Sequence, residues 1–66
     1  MAVLKVIELL ADSVNSWEDA TQNAVTEASK SVRNIRSVYV KNLTAEVDKD
    51  KITHWRLNCN IAFEIE

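Results

Sequence analysis

The 66-residue sequence contains neither glycine nor proline, although a chain of this length carries about eight of the two at average usage. Their absence excludes glycine-dependent phosphate loops, dinucleotide-binding turns and flexible Gly/Pro linkers. The composition is still that of a folded protein, because 47% of residues are hydrophobic and the net charge is only −2. We expect a single domain over residues 1–66, with turns built from Asp, Asn, Ser and Lys.

Cysteine is also scarce, since Cys59 is the sole thiol and no internal disulfide can form. The sequence has no Cys/His cluster with zinc spacing either. A domain this small buries little apolar surface and usually gains stability from disulfides, metals or association. We therefore expect Cys59 to be a core residue and the chain to form a homo-oligomer.

The low numbers of basic residues and of His and Cys, and the lack of a long apolar run, argue against several classes of partner and activity. Eight dispersed Lys and Arg residues and a pI near 5.3 do not favour nucleic acid. The apolar run at residues 3–10 is interrupted by charge, is too short to span a bilayer and has no signal-peptide cleavage pattern. We expect no membrane partner and a cytoplasmic location. With one His, one Cys and no nucleophile–base pair, we do not expect an enzyme.

The first half of the chain predicts a strand followed by a helix. Residues 3–10 are rich in Val, Ile and Leu, which is typical of a strand buried on both faces. Ser13 and Ser16 are both candidate helix caps, and we favour Ser13, with a helix that ends near residues 31–33. Its apolar positions recur at three- and four-residue spacing, at Trp17, Ala20, Ala24, Val25, Ala28 and Val32.

The second half predicts a β-hairpin. Residues 37–47 are β-branched at Val38, Val40, Thr44 and Val47, which is typical of a strand. Residues 48–51 (Asp-Lys-Asp-Lys) form a polar tight turn in which Asp or Lys must adopt any left-handed conformation. Residues 53–65 alternate between apolar and polar side chains, which predicts a strand with one core face and one polar face. The class is therefore α+β, a β-α-β-β chain whose antiparallel sheet has the order 1-3-2 and packs on the helix.

The ungapped order of short motifs resembles the dodecin family from Leu4 to Glu66. The motifs are Lys5-Val6-Ile7-Glu8, the capping Ser13, Ser16-Trp17-Glu18, Ala24-Val25, Ser31-Val32 with Ile35, and the segment from Arg56 to Phe63-Glu64. The resemblance implies a hollow homododecamer that commonly binds a flavin such as FMN or riboflavin.

Two positions depart from the flavin-binding pattern that the resemblance implies. Ser37 stands where a Trp stacks on the flavin ring, and Arg56 stands where a Gln bonds to it. The sequence is therefore more similar to the subgroup that lacks the stacking Trp, for which calcium binding has been proposed. The cofactor stays open between flavin and calcium.

The polar face of the last strand is the most suggestive ligand site. Arg56 shares it with His54, Asn58 and Asn60, and its guanidinium could contact an anionic ligand. The alternative is a solvated or subunit-interface face. Trp55 falls on the apolar parity but could border a pocket near Arg56. With Ser37, the candidate cofactor-binding residues are Ser37, Trp55, Arg56 and Asn58.

Two acidic groups could hold a hard cation such as calcium. Asp48 and Asp50, with Glu46, surround the hairpin turn, where interspersed lysines favour a solvated turn instead. Glu18 and Asp19 lie near the helix start, where interaction with the helix dipole is the simpler interpretation. The hypotheses are thus a ligand-storing shell, a calcium-binding shell, and a structural shell without a specific ligand.

Overall fold

The computed structural model describes residues 2–65 and has four elements in the predicted order. They are β1 (Leu4–Ser13), α1 (Trp17–Ala28), β2 (Ile35–Asp48) and β3 (Lys51–Glu64). The strands form one antiparallel sheet in the order β1-β3-β2, and α1 packs on one face of it. This confirms the α+β prediction and its strand order. Residues 1 and 66 of the predicted domain lie outside the described residues.

The helix covers only one face of β1, so the prediction that this strand is buried on both faces is wrong for the single chain. Side chains of alternate residues point away from the helix, and Leu4, Val6 and Leu10 are 50%, 55% and 69% exposed. The strand also continues three residues past the predicted end, to Ser13. A sequence run of Val, Ile and Leu shows apolar character but not which face another element covers.

Ser16 rather than Ser13 caps the helix. The Ser16 backbone is extended, and its hydroxyl oxygen accepts a hydrogen bond of 3.0 Å from the Asp19 N–H. Ser13 instead ends β1 and is buried; its hydroxyl donates to Asp19 Oδ2 at 2.6 Å and accepts from the Asn15 N–H at 2.8 Å. Both serines therefore stabilise the strand-to-helix connection. The helix ends at Ala28, before the predicted residues 31–33.

The core is small and lies between the helix and the central strand. The buried apolar residues of the described chain are Ala20, Ala24, Ala28, Leu57, Cys59 and Ile61. Three alanines on one helix face let α1 approach β3 closely, as the spacing predicts. The prediction that Cys59 is a core residue is confirmed, and burial raises the pKa of its thiol.

The hairpin turn and the β2 entry use left-handed backbone without glycine. Lys49 and Asp50 have φ of 51° and 67°, and they form a two-residue connection because Asp48 pairs with Lys51. Two positive φ values in a two-residue loop are the pattern of a type I′ turn. The prediction that Asp or Lys occupies the left-handed positions is confirmed. Asn34, with φ of 62°, precedes β2.

The molecule is more extended than a compact chain of its length. Its radius of gyration is 13.4 Å, against about 11 Å for a compact chain of this size. The 12-residue helix is about 18 Å long, whereas each 14-residue hairpin strand spans about 46 Å. The hairpin therefore projects past the helix.

A membrane-spanning helix is not found among residues 2–65, since α1 is too short and too polar for one.

Replacing Ser16 with Ala should destabilise the fold by removing the N-cap acceptor. We expect a loss of about 1 kcal/mol and a fall in melting temperature of about 4–8 °C, measured by circular dichroism at one fixed protein concentration. The matched control is Ser31→Ala, at an exposed serine beyond the helix end. Equal melting temperatures for the two variants would contradict the assignment of Ser16 as the cap.

Acid should weaken the strand-to-helix connection through Asp19. Hydrogen bonds from Ser13 and Asn15 lower the pKa of Asp19 below its usual 3.8, so the stabilisation is present above that pH and is lost as the pH falls through the lowered pKa. Urea unfolding from about pH 7 to about pH 2 should therefore show a smaller loss of stability in Asp19→Asn than in the wild type. An unchanged pH profile in this variant would show that the carboxylate contributes nothing.

Candidate functional site

The sheet face opposite the helix, called here the open face, carries most of the candidate ligand residues. On the open face, Glu8, Asn60 and Tyr39 are aligned across the three strands, as are Asp12, Arg56 and Thr44. Its members are Leu4, Val6, Glu8, Leu10, Asp12, Ser37, Tyr39, Asn42, Thr44, Glu46, His54, Arg56, Asn58, Asn60, Ala62 and Glu64.

Arg56 on the central strand is held by a carboxylate from each neighbouring strand. Its Nη2 lies 3.4 Å from Oδ2 of Asp12 on β1 and also contacts Oε1 of Glu46 on β2. These three residues are called here the charge triad. The hydrogen bond to Asp12 and the negative charge of Glu46 raise the pKa of the Arg56 guanidinium. The group is therefore a fixed cation with two bound carboxylates.

This arrangement weakens Arg56 as a contact for an anion, because two carboxylates already meet its Nη2 atom. Two carboxylates around one guanidinium leave the charge triad with one net negative charge. A cavity of about 240 Å³ adjoins it, lined by Leu10, Ala11, Asp12 and Arg56. A ligand in this cavity would contact apolar side chains and a compensated cation.

Two bulges in β2 bring further cations to carboxylates of the open face. The strand register shifts around Arg36 and around Lys41. Arg36 forms an ion pair with Glu64 on β3, and Lys41 Nζ lies 2.8 Å from Oε2 of Glu8 on β1, which raises the pKa of Lys41. Three cations thus meet four carboxylates on this face, so it carries about one net negative charge.

The four predicted cofactor-binding residues do not form one pocket within a chain. Ser37 is opposite Ala62, whereas Arg56 is opposite Thr44. Six residues of β3 separate these rows, about 20 Å at 3.3 Å per residue. Asn58 does share the open face with Arg56, two residues along the strand. A site that uses both Ser37 and Arg56 requires side chains from more than one copy.

Trp55 lies on the helix side of the sheet, away from Arg56. Its ring meets the edge of Trp17 at a centroid distance of 6.5 Å and an interplanar angle of 83°. The Trp17 indole N–H donates to the Thr44 carbonyl oxygen at 3.1 Å. The pair therefore connects the helix start to the hairpin, and the expectation that Trp55 borders a pocket beside Arg56 does not fit this placement.

The predicted metal ligands are also dispersed. Asp19 is bound by Ser13 and Asn15, Glu18 is exposed, and Asp48 and Asp50 occupy the hairpin turn. Glu46 pairs with Arg56 instead of joining the two turn aspartates. Across residues 2–65, no three His, Cys, Asp or Glu side chains are grouped so that they could hold a metal ion.

Sequence reasoning missed Asp12 as a site residue. The alternation of side chains along β1 does place Asp12 on the same face of the strand as Leu10, and this part of the pattern can be read from the sequence. It becomes useful only once β1 is known to continue to Ser13 and to pair with β3 in the observed register.

Comparison with known proteins gives the same fold and shows a family. The family model for dodecins matches residues 3–66. Calcium dodecin of Mycobacterium tuberculosis is 34% identical over 65 residues, which cover 98% of this chain and 92% of that protein. A crystal structure of that calcium-chelating immunodominant antigen, with a novel calcium-binding site, has a TM-score of 0.82 at 35% identity and covers 97% of this chain and 91% of its own.

A second solved structure, dodecin from Streptomyces coelicolor, has a TM-score of 0.92 at 25% identity, covering 98% of this chain and 93% of its own. The strand order, the single helix on one face and these matches over nearly the whole length lead to one conclusion. This chain belongs to the dodecin family.

Proposed function

We propose that the chain assembles into a hollow homododecamer that binds or stores a small ligand on its open face. The observation that carries this proposal is the open face itself. It is a long polar and apolar sheet surface that the chain's own helix does not cover, and it adjoins a cavity beside the charge triad. Ligand binding then depends on surfaces that are completed by other copies.

The surface of the single chain supports assembly. Its accessible area is 4900 Å², against about 4,200 Å² for a compact monomer of this mass. Large apolar residues are exposed on both sides of the sheet, including Leu10 and Tyr39 on the open face and Leu43 on the hairpin. The outer edges of β1 and β2 are also available for backbone pairing.

The ligand site fits an unstacked ligand better than a stacked flavin. Ser37 has no aromatic ring, so a flavin there would lose about 0.5–1.5 kcal/mol of stacking. Arg56 only donates hydrogen bonds, whereas the glutamine of flavin-binding relatives also accepts them. These departures support placing the chain in the dodecin subgroup that lacks the stacking Trp.

The environments of the potentially reactive side chains also fit a binding protein better than an enzyme. Cys59 is fully buried and its thiol pKa is raised, so it is a poor nucleophile. The half-buried His54 ring contacts the Thr53 hydroxyl at 3.1 Å and faces Glu46 across the strand pair. A cytoplasmic setting, in which Cys59 remains a thiol, stays a prediction.

Light scattering should give a mass near 90 kDa, which is twelve times the chain mass of 7.5 kDa. Leu10→Asp should lower this mass, because it adds a charge to an apolar surface that copies would bury. Thr26→Asp is the matched control, since it adds the same charge on the exposed helix surface. A wild-type mass near 7.5 kDa in dilute neutral buffer would contradict the proposal.

Calcium binding is a second candidate, and the relative named calcium dodecin favours it. Because one chain groups no metal ligands among its described residues, such a site would combine carboxylates from several copies. Calorimetric titration with calcium should then show binding that is weakened in Asp48→Asn/Asp50→Asn and unchanged in Ser37→Ala. No heat at calcium concentrations of about 1 mM or above would discard this candidate.

A further inference from the structure

We infer that Asp12 and Glu46 make the cavity beside Arg56 selective for an uncharged or cationic ligand group over a phosphate. The two carboxylates do so by forming ion pairs with the Arg56 guanidinium, which compensate its positive charge. The inference rests on the proposed function in one respect, which is that this part of the open face binds a ligand.

The position of the charge triad is fixed by all three strands. Arg56 is on the central strand, Asp12 is its direct register partner on β1, and Glu46 is two residues past its partner Thr44 on β2. The Arg56 Nη2 atom contacts both carboxylates. A phosphate that binds at Nη2 must displace at least one of them, and at the other guanidinium nitrogens it would still lie beside both carboxylates.

Charge adds to this steric competition. The charge triad keeps one net negative charge, and a phosphate monoester near pH 7 carries about −1.5 to −2. The other charged pair nearest along the face, Lys41 with Glu8, is already neutralised. Among residues 2–65, the lining of the cavity therefore supplies no cation other than the paired Arg56.

Solvent exposure limits what the charge triad contributes to folding. The side chains of Arg56, Asp12 and Glu46 are 41%, 46% and 49% exposed, and ion pairs at such exposure contribute little to folding. The positions of the three charged side chains instead influence which ligands approach the cavity. Leu10 and Ala11 provide its apolar lining, so the favoured ligand is an apolar or aromatic group without a phosphate.

The test changes the two carboxylates and keeps Arg56. Asp12→Asn/Glu46→Gln should release the guanidinium, whereas the control Glu27→Lys makes the same change of two in net charge on the exposed helix surface. Single Glu46→Gln is a milder variant if the double variant assembles poorly. Each protein is checked by light scattering and circular dichroism, then titrated by calorimetry with inorganic phosphate. Equilibrium dialysis then measures the affinities for riboflavin and for riboflavin 5′-phosphate, which are an uncharged and an anionic form of one ring system.

The wild type should bind no phosphate and should prefer riboflavin to its phosphate ester. In Asp12→Asn/Glu46→Gln, the affinity for riboflavin 5′-phosphate relative to riboflavin should rise roughly tenfold. The same variant should also bind inorganic phosphate weakly. The Glu27→Lys control should behave as the wild type. If the released variant gains neither effect, or if the control gains the same effect, the inference is wrong.

The proposed function and the inference can fail separately. If no variant binds riboflavin, a flavin-type ligand is excluded, and phosphate binding by the released variant still decides the role of the carboxylates. If the wild type binds both flavins equally, ligand binding stands and the charge selectivity is overturned.

Discussion

The strict alternation of side chains along β3 is the constraint on which the structure depends. Leu57, Cys59 and Ile61 point to the helix and form half of the core, whereas Arg56 and Asn58 point to the open face. A slip of one residue in the pairing would exchange the two sets. The buried face therefore fixes the register, and the same register aligns Arg56 with Asp12 on β1.

The core that holds this register is unusually modest. Three alanines and three β3 side chains are the buried apolar residues of the described chain, and the sole thiol is among them. Small side chains on the helix allow close contact with the sheet but remove little apolar area from water. Much of the apolar surface instead lies on the open face and the projecting hairpin. In the proposed assembly, contacts between copies would cover this surface and add to the stability of the fold.

Local patterns predicted the fold well, because they depend on periods of two and 3.6 residues. The alternation of β3, the alanine face of the helix and the glycine-free hairpin turn all follow from neighbouring residues. The choice between Ser13 and Ser16 as the cap did not, since serine is a favourable N-cap residue at either position. Only the backbone shows that Ser13 is still in the strand and that its hydroxyl serves Asp19.

The candidate site was less predictable, because it depends on pairing between distant residues. Asp12 and Arg56 are 44 positions apart, and their contact requires both the length of β1 and its register. The bulges at Arg36 and Lys41 carry no glycine that would have indicated them. Sequence reasoning could identify Arg56 as a cation on a polar face, but not the two carboxylates that bind it.

The paired charges of the open face also make assembly physically reasonable. If twelve copies face a common interior, every uncompensated charge on the open face is repeated twelve times, and mutual repulsion opposes closure of the shell. Arg36, Lys41 and Arg56 each meet a carboxylate within their own chain, so each copy contributes about one net negative charge. The same pairing that removes Arg56 as a free anion contact therefore lets like faces approach one another. In the proposed shell, ligand selectivity and assembly would depend on the same ion pairs, whose positions follow from the register of β3.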